Sequence, residues 1–125
     1  MYKESHKEIA TTFLRLASSG KVSEAFSSYG APNFRHHNPY FKGDAKSLAI
    51  GMQENAKENP DKVFEVQHIV EEQDLVAVHS RLRLKPNSFE VAVFHLFRFE
   101  NDKIAELWDV GQQVPSDSIN ENGMF

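Results

Sequence analysis

Two histidines, an asparagine and an aspartate carry most of the chemistry this chain can offer. Asp109 sits in the stretch IAELWDVGQ, between Trp108 and Val110. A carboxylate in so apolar a stretch is costly to bury unless it is paired or protonated. Inside an apolar pocket its pKa is expected to rise, which makes a carboxylate a useful base near neutral pH. The competing reading puts Asp109 at a sheet rim, bonded to a loop. His95, in VAVFHLFRFE, shares a face with Val93 and Phe97 under period-two alternation. A neutral imidazole there can donate or accept a hydrogen bond at a substrate carbonyl, or it can be a core histidine satisfied by backbone.

Whether His95 and Asp109 meet turns on a single residue. If Asn101-Asp102 is a plain two-residue turn, Glu100 opposes Lys103 and His95 lies opposite Trp108. Asp109 then points to the other face. One extra residue, from a three-residue loop or a β-bulge, brings the two together.

Other groups are candidates for substrate binding. In NFRHHNPYFKG, His37 and Asn38 precede a proline, which favours a turn, and either can donate a hydrogen bond at a pocket mouth. His79 and Arg81 share a face of LVAVHSRLRL, with Arg83 beyond. That spacing suits a solvated strand face, or a cavity lined by His79 with arginines at its outer mouth. Trp108 and Phe97, beside the acid and the imidazole, are expected to add apolar lining. A zinc site from His37, His79, His95 and Asp109 is chemically conceivable, but no His-x-His or His-x-x-x-His pair supports it, and no metal is expected. No glycine-rich phosphate loop and no Gly-x-Ser-x-Gly elbow is present, so no cofactor is expected. With no cysteine, disulfides, thiolate nucleophiles and thiolate-bound zinc are excluded.

The elements that must position these groups follow from periodicity. Ile9, Phe13 and Leu16 predict a helix over residues 5–19, with Gly20 as its C-terminal cap. Val22 to Tyr29 reads as a second, short helix. Asn33 to Asn38 reads as extended. Asp44 caps a third helix carrying Leu48, Met52 and Ala56, which ends at Asn59-Pro60. The period then becomes two. Phe64, Val66, His68 and Val70 are expected on one face of a strand, followed by strands Leu75–Lys85, Phe89–Phe99 and Ile104–Gln113. Helices followed by antiparallel strands predict an α+β fold with the helices on one sheet face. The later strands are nearly apolar on both faces, so a second copy of the chain is the expected cover for the other face.

At 125 residues the chain is expected to be a single domain, 1–125, large enough for a core and a small-molecule cavity. The net charge of -4, with no basic run, argues against nucleic acid as a partner. No apolar run is long enough to span a membrane, and MYKESHKEIA lacks the apolar core of a signal peptide, so a cytoplasmic location is expected.

The order of elements, HHNP between the second and third helices, VFHLFRFENDKIAELWDV and the ending NGMF together resemble the SnoaL-like proteins of the nuclear transport factor 2-like superfamily. That resemblance spans essentially the whole chain. It implies a strongly curved antiparallel sheet around a cone-shaped cavity closed by three helices, a cystatin-like α+β barrel. It implies homodimers packed through the convex sheet face. The founding members are polyketide cyclases that perform an intramolecular aldol condensation without a cofactor. They use an aspartate base on the last strand near a histidine on the preceding one, positions matched by Asp109 and His95. Steroid isomerases of the superfamily carry an acidic base where this chain has Asn38 and an oxyanion-holding acid where it has His95. Epoxide hydrolases of the superfamily use an Asp-Arg-Asp set, of which only Asp109 and Arg81 have counterparts here. The expectation is therefore cofactor-free acid/base chemistry on a small hydrophobic carbonyl compound. The alternatives are a ligand-binding or dimerisation module without chemistry, and a metal-dependent enzyme.

Overall fold

A computed structural model describes residues 3–125. The first two residues, which the single-domain expectation includes, lie outside the described residues. Three helices are followed by a sheet: α1 (His6–Ser18), α2 (Val22–Tyr29), β1 (Gly30–His36), α3 (Ala45–Glu58), β2 (Val63–Glu72), β3 (Leu75–Arg83), β4 (Glu90–Glu100) and β5 (Lys103–Gln113). α1 starts at a capping box, in which the Ser5 hydroxyl accepts from the Glu8 N–H and the Glu8 carboxylate accepts from the Ser5 N–H. Gly20, at φ 88°, closes that helix in the left-handed region. The Asp44 side chain accepts from the Ser47 N–H and so starts α3.

The five strands lie in the order β1-β5-β4-β3-β2, forming a curved, open sheet. β2 to β5 are antiparallel neighbours. The extended segment after α2 is a true strand, and it pairs parallel to β5 through Arg35↔Glu106 and His36↔Leu107. The sheet is thus mixed rather than wholly antiparallel. Pro32 is tolerated because β1 is an edge strand and needs no full ladder.

The helices cover the concave face. Phe13 of α1 meets Phe97 of β4 edge-on, with ring centroids 6.0 Å apart, and both rings are fully buried. Leu48, Val76, Val78, Ile104 and Leu107 complete the floor of this core. Burying one such side chain contributes roughly 1.5–3 kcal/mol.

Two bulges change the faces that strict alternation assigns. In β2 the register passes from Val66↔Ser80 to His68↔His79, so Gln67 is the extra residue. Beyond it Ile69 packs against the core, while His68 stacks on His79 and Val70 is 64% exposed. His68 and Val70 therefore do not share the face of Phe64 and Val66. In β5 the register passes from Phe99↔Ile104 to Arg98↔Glu106, so Ala105 is extra. The consequence is four consecutive buried residues, Ile104 to Leu107.

Candidate active site in the concave cavity

The bulge at Ala105 decides the site. Asn101 and Asp102 have φ of 51° and 63°, a tight two-residue turn, and Glu100 pairs with Lys103 as the plain hairpin requires. The extra residue then offsets β5 by one, and His95 pairs with Asp109. Directly opposed residues of an antiparallel pair have Cα atoms about 4.5–5.5 Å apart and side chains on one face. Both groups face a cavity of about 780 Å³, whose wall includes Leu14, Leu48, Met52, Phe64, Val91 and Val93.

His95 is buried, and its Nδ1 has no hydrogen-bond partner among the described residues. The Phe64 and Phe97 rings lie 6.3 and 6.1 Å from the imidazole. Desolvation in this apolar wall pushes the His95 pKa down to about 4, against the opposing pull of the Asp109 charge. The imidazole is therefore neutral at pH 7, with one ring nitrogen available to a ligand.

The segment His36-His37-Asn38 divides its side chains among three tasks. His36 is buried: its Nδ1 accepts from the Asn38 N–H at 3.0 Å, so its Nε2 carries the proton and donates to the Lys42 carbonyl at 2.6 Å. This ring braces the turn from inside. The Asn38 Oδ1 accepts from the Tyr40 N–H at 2.9 Å, which fixes the amide orientation. Its Nδ2 then donates to Asp109 Oδ2 at 3.1 Å. Asn38 is both the turn former and the group that orients the carboxylate.

His37 turns the other way. The residue borders the cavity, but its ring stacks on Trp108 with centroids 4.8 Å apart and is 2.6 Å from Glu106 Oε2. Glu106 also accepts from Arg35 and Arg98, and its carboxylate is almost wholly buried. The Arg35 guanidinium first, and His37 next, hold the Glu106 pKa down to about 2 despite burial. This network lies on the convex face behind the site and anchors the end of β1 to β5.

Four expected binding residues are not in the cavity. Trp108 pairs with Leu96 on the convex face and stacks there on His37. Phe97 is on the concave side but fully buried under Phe13, below the cavity wall. His79 and Arg81 alternate with buried Val78 and Ser80 and face outward. His79 stacks between His68 and Phe94, and Arg81 pairs with Glu90 and lies 4.8 Å over the Phe125 ring. Trp108 is sent outward by the Ala105 offset, Phe97 lies too deep to line the cavity, and His79 and Arg81 take the solvated strand face that regular alternation with Val78 and Ser80 gives them. Among the described residues no group of three or more His, Cys, Asp or Glu side chains is arranged to hold a metal ion.

Sequence reading missed other parts of the wall, among them Phe41, Asn55 and Lys62. One signal pointed there. Gly51 lies inside α3, where glycine is unfavourable by about 1 kcal/mol. A Cβ on Gly51 would come within 2.3 Å of the Phe41 ring, so the glycine makes room for that aromatic at the cavity.

The buried imidazole makes a pH prediction. An unfolded histidine takes up a proton near pH 6.5, whereas folded His95 takes it up only near 4. Between these values the unfolded chain binds more protons, so stability falls as pH falls from 6.5 towards 4. The loss contributed by His95 reaches about 3 kcal/mol at the lower end. Urea unfolding at pH 6.5, 5.5 and 4.5 is expected to show a steeper decline in the native chain than in His95→Gln. Parallel declines would show that His95 titrates normally.

A family model for SnoaL-like polyketide cyclases matches residues 7–117. No curated protein matches the chain. Solved structures do. A SnoaL-like polyketide cyclase from Agrobacterium tumefaciens superposes with a TM-score of 0.72 at 17% identity, covering 88% of this chain and 93% of that one. An NTF2-like protein of unknown function from Cytophaga hutchinsonii gives 0.72 at 14% identity, covering 89% and 93%. A cystatin-fold protein from Novosphingobium aromaticivorans gives 0.72 at 16% identity, covering 86% and 99%. At such identities the likeness establishes the α+β cone fold.

Proposed function

This chain belongs to the SnoaL-like polyketide cyclase family, and from that membership we propose that it catalyses cofactor-free acid/base chemistry on a hydrophobic carbonyl compound held in the concave cavity. Family and fold together support a small-molecule role of cyclase or isomerase type. The observation that carries the finer reading is the Asn38–Asp109–His95 arrangement: an oriented carboxylate directly across the ladder from a neutral, unpartnered imidazole.

In the proposed reaction the Asp109 carboxylate removes a proton from the carbon next to a carbonyl. The electron pair of that C–H bond forms the enolate, whose oxygen accepts a hydrogen bond from the neutral His95 ring. The enolate carbon then attacks a second carbonyl of the same molecule and forms a C–C bond. The new alkoxide takes back the proton held by Asp109, so no redox partner is required. Asn38 holds the carboxylate in one orientation throughout, which removes a reorganisation step.

Proton abstraction can be tested without knowing the natural substrate. The protein is incubated in D2O with a panel of aromatic β-diketones and β-keto esters, and deuterium uptake at the activated carbon is followed by NMR. Exchange above the buffer rate is expected for at least one compound. Buffer-rate exchange across the panel would return the chain to the ligand-binding alternative.

We also propose that two copies associate through the convex sheet face. Phe94 and Val110 stand 56% and 73% exposed there on neighbouring strands, an apolar pair that His79 and the C-terminal Met124 cover only in part. Sedimentation is expected to give a dimer, and Phe94→Lys a monomer. A native monomer at tens of micromolar would reject this assembly.

A further inference from the structure

Lys62 is the group in the cavity that the reaction above does not use. It immediately precedes β2 and lines the cavity wall. It is the only ammonium or guanidinium among the lining residues, and Asp109 is the only carboxylate. The two are not paired: among the described residues the Lys62 side chain has neither an ion pair nor a hydrogen bond. The cavity wall it shares is largely apolar. Phe64, two residues on, places its ring 6.3 Å from that of His95, and Leu82, Val91 and Val93 complete that wall.

A lysine on a protein surface normally extends its ammonium into water, at little cost. Lys62 is half-buried, and burial lowers its pKa with no acidic group compensating. An unpaired cation on a largely apolar cavity wall is unfavourable for the empty protein. It becomes favourable when a ligand brings the opposite charge. Position fits the same purpose. Two residues of extended chain span about 7 Å, so Lys62 enters the cavity wall about that far along the chain from Phe64, whose ring lies next to His95.

We propose that the cavity is built for an anionic carbonyl compound, with Lys62 binding an ionised acid group at one end of the ligand while its carbonyl meets His95 at the other. The inference rests on the acid/base reading for the reacting end, but the anion site stands or falls by itself. A carboxylate is the simplest acid group that meets the requirement, because it offers two acceptor oxygens to one ammonium. Orientation is the functional gain. Asp109 carries negative charge in its basic form, so a ligand entering acid-first is repelled there and attracted at Lys62. One binding polarity therefore presents the carbonyl to the imidazole.

The test uses two dyes with the same ring system. 8-Anilinonaphthalene-1-sulfonate carries an anionic group, and N-phenyl-1-naphthylamine does not. Fluorescence titration of the native protein is expected to show the sulfonate binding at least about tenfold tighter, the size of one charge-assisted contact. Lys62→Gln is expected to weaken the sulfonate by about tenfold and leave the neutral dye within twofold. Lys62→Arg is expected to restore the preference. A native protein without preference, one that binds neither dye, or a Lys62→Gln variant that keeps the preference overturns the proposal. The Asp109→Asn variant separates the two readings: it should retain the full sulfonate preference while losing deuterium exchange. Preference without any exchange in the native protein leaves the anion site standing and removes the reaction.

Discussion

Asp109→Asn is expected to lower the rate of deuterium exchange by about 10²–10⁴, the usual contribution of one positioned general base. The change is nearly isosteric. The asparagine Oδ1 can still accept from Asn38 Nδ2, which now donates to Asp109 Oδ2 at 3.1 Å. Asp109 is also only partly buried and sits on the cavity wall rather than in the core. The fold and its urea midpoint should therefore change little. What disappears is a side chain able to accept and hold a proton. Near-native exchange by Asp109→Asn, measured on a compound the native protein turns over, would remove the carboxylate from the mechanism. His95→Gln provides an internal comparison. It keeps a hydrogen-bond donor but changes its reach, so a smaller loss, about tenfold to a hundredfold, is expected.

Inserting one alanine between Leu107 and Trp108 is expected to abolish deuterium exchange and to cost about 1–3 kcal/mol of stability. The Ala105 bulge sets Arg98↔Glu106, Phe97↔Leu107 and His95↔Asp109 in phase. One more residue shifts everything beyond Leu107 by one position against β4, so Trp108 would pair with His95 and Asp109 with Phe94, on the convex face. Deleting Ala105 is the contrasting variant. It removes the extra residue and leaves the same pairs in a regular ladder, so exchange is expected to persist, at the cost of one buried methyl and the added local twist. An insertion variant that keeps native exchange would show that the strand register is not what places Asp109.

The convex-face network explains why a charged glutamate can be so deeply enclosed. Glu106 has three basic partners, and each also belongs to another strand or loop position: Arg35 and His37 on or beside β1, Arg98 on β4. Their shared acceptor ties the parallel edge strand to the antiparallel body. Asn38 follows His37 directly, so the stiffness that orients Asp109 on the concave side is supplied in part from the opposite face. The sheet transmits this because consecutive residues of an extended chain point to opposite sides.

Much of the architecture is written in local pattern. The three helices are legible because Ile9, Phe13 and Leu16, and later Leu48, Met52 and Ala56, recur at helical spacing, with Gly20 to end the first and Asp44 to cap the third. The four antiparallel strands and the two-residue turn at Asn101-Asp102 are legible for the same reason, since turn chemistry and period two are properties of neighbouring residues. The suspicion that falls on Asp109 and His95 is also local: each is a polar group in a strand otherwise made to be buried.

Face assignment is another matter. Val66 and Ile69 pack inward and His68 outward only because Gln67 is extra, and Asp109 rather than Trp108 faces His95 only because Ala105 is extra. Nothing in QHIVEE or KIAELWD announces a bulge, because apolar and polar residues are mixed on both faces of these segments and more than one register satisfies the alternation. The fold removes the ambiguity by a global comparison. Register is chosen so that Phe97, Leu107 and Ile104 meet α1 while Glu106 meets its arginines, and those partners lie far apart along the chain. His79, Arg81 and Trp108 are likewise sent outward by the pairing of whole strands. Element type, turn position and the identity of the reactive groups are thus set by short-range sterics and periodicity, which the sequence displays by itself. Which of those groups face one another across the cavity is set by long-range packing, and only the tertiary structure decides it.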